Sequence, residues 1–460
     1  MINELTTASK IGRLVNKKEI KAVEVIKYFQ DEIENKNSSL NAFVYTRFDE
    51  AYKRAAEIDR IVESGKDVGP FAGVPFGLKD FLPSKKGWTN SHGGVKSLVM
   101  EDFESSEFCK AMERLGGIAI GKTNAPSFGF SGLTYNKMYG ITNNPFDVTR
   151  NSGGSSGGSA SAVGGGLIPI SEGGDGGGSI RIPSSWCNCV GYKPSVGQVP
   201  SVIRPDAWSA THPYCFNGGI CKSVEDSFIL FREMNKYNSR DPLSAPINNS
   251  YYEEIDIKNI TIGYTYDWNC YQNIEDEIIN AFNRHIDKLK SMGIKLIQIS
   301  PKVERPIKEI ADMWCFAISV DTAYELEELK QKGINLYEKE NELPKGFLEW
   351  QQRAYNFNID DYKKFHTIRT ELLDMHEELF TKVDFIISPV STIVAPKNSM
   401  IEKTNQIDFG MTFFQNFTGH PACSLPGEFS KDGIPIGLHI VGKKYDDCNM
   451  FKLMMKINGE

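Results

Sequence analysis

Asn151-Ser152-Gly153-Gly154-Ser155-Ser156-Gly157-Gly158-Ser159 and Gly173-Gly174-Asp175-Gly176-Gly177-Gly178-Ser179 are the two runs that decide how this chain is read. Glycine and serine at this density are the composition of a flexible linker. Their context argues otherwise. Ala160 to Val163 and Leu167 to Ile170 are apolar segments set between the two clusters, and Ile180-Arg181-Ile182-Pro183 follows at once. A linker does not alternate with core-forming sequence. Glycines between buried elements mark backbone that lies close to something or takes a positive φ.

Outward from these runs, helical and strand patterns alternate. Residues 7 to 64 read as helices, with Val23, Val25, Ile26 and Phe29 forming an apolar face and a second pattern from Phe48 to Val62. Val74 to Leu82 is apolar, Phe108 to Leu115 a short helix, and Ile118-Ala119-Ile120 a strand by its β-branched content. Ser223-Val224-Glu225-Asp226 has the form of a capping box opening a helix through Phe231. Ile260 to Tyr264 and Ile294 to Ile299 read as strands around a helix from Ile274 to Met292, and long helices are expected over about 305–333 and 347–382. Phe385 to Pro389 reads as a buried strand, and Ala422 to Leu425 pairs with Ile436 to Val441 through Lys431-Asp432-Gly433. This alternation predicts an α/β fold with a large mixed sheet flanked by helices. The length of 460 residues alone suggests two or three domains, yet no boundary divides the chain. We therefore expect one domain: a helical region at about 1–65, a core at about 70–230, a variable pocket region at about 240–400 and closing strands at about 420–445.

Composition narrows the function. A formal charge of −7 lacks the basic footprint of nucleic-acid binding. The N-terminus shows no basic segment followed by an apolar one, and no apolar run approaches a membrane span, so a cytoplasmic protein without membrane partners is expected. Nine cysteines, an odd number among apolar neighbours, read as reduced buried thiols. Cys187 and Cys189 have no second pair at metal spacing, so no metal site is expected there.

Two motif matches fail on context. Gly116 to Thr123 fits the phosphate-loop pattern, but a helix precedes it and its middle residues are strand formers, the reverse of what a phosphate cradle needs. Gly153-Gly154-Ser155-Ser156-Gly157 fits the nucleophile elbow, but polar, turn-like residues from Asn143 to Asn151 stand where an apolar strand should enter. His420 and His439, which an elbow enzyme would need, read as hydrogen-bonded packing residues.

Lys79 in Gly73-Val74-Pro75-Phe76-Gly77-Leu78-Lys79-Asp80 reads, alone, as a lysine snorkelling to the surface. Together with the runs around Ser155 and Ser179, it resembles the amidase signature family, whose two serines are 24 positions apart as here. The resemblance extends through Gly121-Lys122-Thr123-Asn124, Asn144-Pro145, Cys189 to Pro194 and Gly433-Ile434-Pro435-Ile436-Gly437. It implies the fold of that family, Ser179 as nucleophile, Ser155 as bridging serine after a cis Gly154–Ser155 peptide, and Lys79 as base. The chemistry agrees: a hydroxyl is a weak nucleophile and needs a neighbouring base, which a desolvated lysine can supply. Backbone N–H groups of Gly176, Gly177, Gly178 and Ser179 are the candidate oxyanion donors. Asp175 and Arg181 read as loop anchors. No metal or organic cofactor is needed. The family usually carries threonine where Gly176 stands, which either loosens the loop or opens room for a bulkier acyl group.

The expected reaction is hydrolysis of the carbon–nitrogen bond of a small or medium amide, linear or cyclic, through an acyl-enzyme. The alternatives are the glutaminase component of the tRNA-dependent amidotransferase and a non-catalytic binding member of the family. The three intact positions oppose the latter. Against the former, that component typically has glutamine where Ile182 stands and a different stretch at Gly197 to Val202. Asp312 to Ala317 is weakly similar to the 6-aminohexanoate cyclic-dimer hydrolases, which makes Cys315 a candidate pocket residue, with Trp208, Trp314 and Phe413 beside it. The expected partner is the small-molecule amide; a homodimer is compatible with the sequence.

Overall fold

The computed structural model describes residues 2–3, 6–204, 206–209, 214–246, 259–404 and 409–460. Its centre is a mixed sheet, eleven-stranded among the described residues. The order across it is Phe43–Thr46, Ile118–Thr123, Pro75–Lys79, Ile170–Asp175, Phe216–Cys221, Val190–Lys193, Ala422–Phe429, Pro435–Gly442, Phe385–Pro389, Thr261–Tyr264 and Lys295–Gln298. Pro75–Lys79 runs parallel to both of its neighbours. Every residue in it is buried, as expected for a parallel strand covered on both faces. Lys79 is its last residue and Ser179 lies four positions beyond the end of the adjacent Ile170–Asp175 strand. The carboxyl ends of two neighbouring parallel strands are where α/β sheets place ligands. Helices pack on the sheet, and no described helix is long and apolar enough to cross a membrane.

Most expected elements are present, and the departures have local causes. A short strand, Phe43–Thr46, interrupts the region read as wholly helical. The helix Ala22–Leu40 stops at Asn41, which takes a left-handed conformation, and the β-forming residues that follow pair antiparallel with Ile118–Thr123. The expected helix over 347–382 is broken: Phe347–Gln352 leads into a 3-10 turn, and Asn358 starts Ile359–Phe380 afresh by accepting the N–H groups of Asp360 and Asp361. Part of the variable region, residues 247–258, lies outside the described residues. The two lookalike motifs are structural. Lys122 is buried in an ion pair with Asp102 at 2.5 Å, and Ile118–Thr123 is a strand rather than a phosphate cradle.

The expected capping box at Ser223 is half present. The Ser223 hydroxyl accepts the Asp226 N–H at 3.1 Å. The Asp226 carboxylate does not turn back to its own helix. It accepts the N–H groups of Ala8 and Ser9, both at 2.8 Å, and so docks the first helix, Ala8–Asn16, by its N-terminus. A buried carboxylate satisfied by two orphan helix donors joins elements more than two hundred residues apart. Asp226→Ala leaves both donors buried and unpaired, so we expect a loss of ~1–3 kcal/mol in stability, read from urea denaturation.

Candidate active site

The central strand carries Lys79 into the interior, where the side chain has no water to solvate an ammonium. Its Nζ donates to Ser155 Oγ at 2.7 Å. Lys79 and Ser155 are both buried, while Ser179 is partly exposed. Burial brings the Lys79 pKa down to about 8, against the opposing pull of Glu172, Cys215 and Asp175. The Gly154–Ser155 peptide is cis, as the family resemblance implies. Ser156, which no sequence pattern marks, fixes this segment to the next. Its N–H donates to the Ser179 carbonyl at 3.2 Å, and its hydroxyl meets the Gly174 N–H at 3.2 Å and the Gly174 carbonyl at 3.3 Å. The two serine-bearing segments are thereby tied together beside the amine.

The loop from Asp175 to Arg181 is built around one carboxylate. Asp175 Oδ1 accepts the Gly178 N–H at 2.7 Å and Oδ2 accepts the Ile180 N–H at 3.3 Å. Arg181 grips both oxygens with its guanidinium fork, each bond 2.9 Å long. Burial by itself would raise the Asp175 pKa, but the charge and hydrogen bonds of Arg181, with a bond from Asn416, hold it well below the ordinary carboxylate range. The loop carbonyls are pinned from outside: Gly176 O accepts Trp314 Nε1 at 3.0 Å, Gly177 O accepts Thr412 Oγ1 at 2.6 Å, and Gly178 O accepts the Ile182 N–H at 2.7 Å. A trans peptide points its N–H opposite to its carbonyl. The N–H groups of Gly177 and Ser179 are thus turned away from Trp314 and from Ile182, and with Gly176 N–H they have no protein acceptor among the described residues. Gly178 departs from the expected donor set, because its N–H is spent on Asp175.

Two of these glycines are dictated by space. A Cβ on Gly177 would lie 2.4 Å from the Trp314 ring, and one on Gly178, whose φ is +126°, would lie 2.0 Å from Thr412 Oγ1. Thr412, Gln415 and Asn416 are not marked by any motif. The available signal is the pair of amides Gln415-Asn416 set among Phe413, Phe414 and Phe417, since buried polar groups require partners. Asn416 Nδ2 donates to the Asp175 carbonyl at 2.8 Å, and Arg181 Nη2 donates to Asn416 Oδ1 at 2.8 Å.

The histidines are neutral structural groups. Arg181 Nη1 lies 3.1 Å from His439 Nε2. A guanidinium only donates, so Nε2 accepts and the ring proton sits on Nδ1, facing Ser388 Oγ at 3.1 Å. Burial and Arg181 together push His439 well below its usual pKa. His376 falls to about 4 by burial, and His420, stacked on it at 4.8 Å, is lowered by burial and by that neighbour.

The pocket candidates divide. Trp314 meets the loop directly, and Phe413 packs on it with ring centroids 5.9 Å apart. Cys315, one position along the helix Ile307–Gln331, is buried elsewhere, with Asp312, Arg353 and Lys308 as its charged neighbours. A helix turns 100° per residue, so a face that presents Trp314 and Ile318 does not present Cys315. Trp208 is 69% exposed, and no described contact ties it to the Lys79 cluster. Cys215, just before the Phe216–Cys221 strand, is the thiol beside the loop: a Cβ on Gly176 would lie 3.2 Å from its Sγ. Burial, with Asp321 and Asp175, pushes that thiol up to about 12, so it is protonated near neutrality. All nine cysteines are free, and no group of three or more metal-ligating side chains occurs among the described residues.

With this geometry in view, comparison with known proteins is specific. The family described as Amidase matches residues 24–451. A solved bacterial aryl acylamidase of the amidase signature family superposes with a TM-score of 0.92 at 29% identity, over 98% of this chain and 96% of that one. The 6-aminohexanoate cyclic dimer hydrolase, at 24% identity, shares the fold with a TM-score of 0.88 over 100% and 97% of the two chains. A component of the glutamyl-tRNA(Gln) amidotransferase of Clostridium botulinum (strain Eklund 17B / Type B) is 29% identical over 97% of this chain and 95% of its own length. The chain belongs to the amidase signature family, enzymes that hydrolyse carbon–nitrogen bonds of amides other than peptide bonds.

Proposed function

We propose that this protein is a stand-alone amidase for a small or medium amide, working through a Ser179–Ser155–Lys79 relay. The observation that carries the reading is the buried Lys79 amine, 2.7 Å from Ser155 Oγ and brought down to about 8 in pKa. Once its proton is gone, the Nζ lone pair accepts the Ser155 proton and Ser155 Oγ accepts that of Ser179. Ser179 Oγ then bonds to the amide carbonyl carbon. We assign the oxyanion to the N–H groups of Gly176, Gly177 and Ser179, with Gly178 reserved for holding the loop. The relay returns its proton to the leaving nitrogen as the carbon–nitrogen bond breaks. Water repeats the path on the acyl-enzyme and releases the acid. Trp314 and Phe413 give the site an apolar wall, and Ile182 keeps it less polar than a glutamine would.

The amidotransferase reading is favoured by the length and identity of that relative alone. The two separate on one experiment. The purified chain, offered a panel of aryl, alkyl and cyclic amides, is expected to release amine without a second protein. Turnover of glutamine only after a partner protein is added would replace our reading with the other.

Ser179→Ala is expected to abolish turnover, and Ser155→Ala and Lys79→Ala each to lower kcat/KM by ~10³-fold or more with circular dichroism unchanged. Intact-mass spectrometry should find the acyl adduct on Ser179. A variant of the three that keeps near wild-type rates breaks the relay. Because the reactive form of Lys79 is the neutral amine, kcat/KM should rise with pH through a limb near 8 and level off above it. A rate that falls across that range is incompatible with a lysine base.

A further inference from the structure

We propose that Glu172 is a positioning residue for this hydrolysis, its side-chain charge clamped beside Lys79 so as to hold the proton on that amine until a defined pH. The proposal rests on Lys79 being the base, as argued above. Glu172 belongs to the Ile170–Asp175 strand, which neighbours the strand that ends in Lys79. Its two carboxylate oxygens are both committed. Oε2 accepts the backbone N–H of Lys79 at 3.1 Å, and Oε1 accepts the Ser106 hydroxyl at 2.7 Å. Ser106 in turn is fixed as the cap of the helix Glu107–Arg114 by accepting the Cys109 N–H at 3.1 Å. The carboxylate therefore cannot swing away from the lysine.

The groups facing the pair define what the charge does. Around Lys79 stand Glu172, Asp175 and Cys215, with the Phe81 ring 5.6 Å from Nζ. Asp175 is matched by Arg181, and Cys215 is a protonated thiol near neutrality. Around Glu172 stand Ser106, the Lys79 N–H, Lys122 and Asp102, with Cys109 on the adjoining helix. Lys122 is itself paired with Asp102. Among the described groups, Glu172 is thus the carboxylate by Lys79 that no cation neutralises directly. Burial raises Glu172 to about 7, with Ser106 and the Lys79 N–H opposing, so it ionises just below the pH at which Lys79 loses its proton. A negative Glu172 stabilises the ammonium and keeps the amine from becoming a base too early; a neutral group at 172 releases the proton at lower pH.

The test uses phenylmethylsulfonyl fluoride, which sulfonylates an activated serine, so no knowledge of the natural amide is needed. The rate of inactivation is measured against pH for the wild-type chain and for Glu172→Gln, Glu172→Asp and Ser106→Ala. Gln keeps both contacts without the charge, and the alkaline limb is expected to move down by ~1 unit. Asp keeps the charge and should leave the limb near the wild-type position. Ser106→Ala removes a bond that favours ionised Glu172, so the limb should move down by a smaller amount; it decides the matter should the Gln variant not fold. A limb unmoved in the variants that fold overturns the proposal and leaves the relay standing. Failure of the probe to label wild-type Ser179, or labelling that persists in Lys79→Ala, overturns the relay instead.

Discussion

The site depends on one buried ion pair. Asp175 and Arg181 are both removed from water, and a charge so placed persists only if it is matched and fully hydrogen-bonded. Each partner is over-subscribed. Asp175 takes two backbone N–H groups, a guanidinium fork and an amide, while Arg181 reaches on to Gln415, His439 and Asn416. The result is a rigid turn at the end of a central strand. It aims free N–H groups on one side and seats Ser179 at the start of the Arg181–Trp186 helix. Residues from near the end of the chain complete the anchor, so the loop forms only when the whole sheet has closed.

The same sheet produces the base. A lysine at the surface holds its proton far above neutrality; Lys79 does not, because the strand that carries it is covered on both faces. Desolvation and hydrogen bonding act together here. Burial lowers the free energy gained by protonation, and Ser155 Oγ gives the neutral amine a proton to accept. The carboxylates around it moderate the effect, which places the amine near its ordinary working range instead of leaving it permanently neutral. Fold and reactivity are therefore one feature: the apolar cover that stabilises the central strands also activates their last residue.

The motif residues were legible because each imposes a local requirement. Glycine clusters between apolar segments demanded close backbone approach, and Gly177 and Gly178 meet it against Trp314 and Thr412. Lys79 was legible only in combination with the serines, since an apolar strand ending in lysine also describes a snorkelling side chain. Cys315 and Trp208 failed as pocket residues because a resemblance over six positions fixes a helix but not its rotation. Trp314, on the other side of the same turn, makes the contact. Glu172, Ser156 and Asn416 went unread because their roles depend on partners far along the chain, which no local pattern records.

Position 176 shows how far the geometry goes beyond the pattern. The sequence leaves two readings of its glycine, a looser loop or a roomier acyl site. The loop is not loose, since Trp314 and Thr412 hold the carbonyls on either side. The space is not empty either. A Cβ there would lie 3.2 Å from Cys215 Sγ and 3.8 Å from Ile318 Cδ1, so a threonine and the Cys215 sulfur would compete for one volume. Gly176 and Cys215 form a matched pair, with the thiol supplying from the neighbouring segment the bulk that the family usually supplies from the loop itself. A protonated sulfur is softer and less polar than a hydroxyl, and it makes no strong hydrogen bond to an incoming acyl group. The exchange leaves the backbone donors of the loop unaltered and turns the wall beside them from polar to apolar, the same direction in which Ile182 and Trp314 already tilt the site.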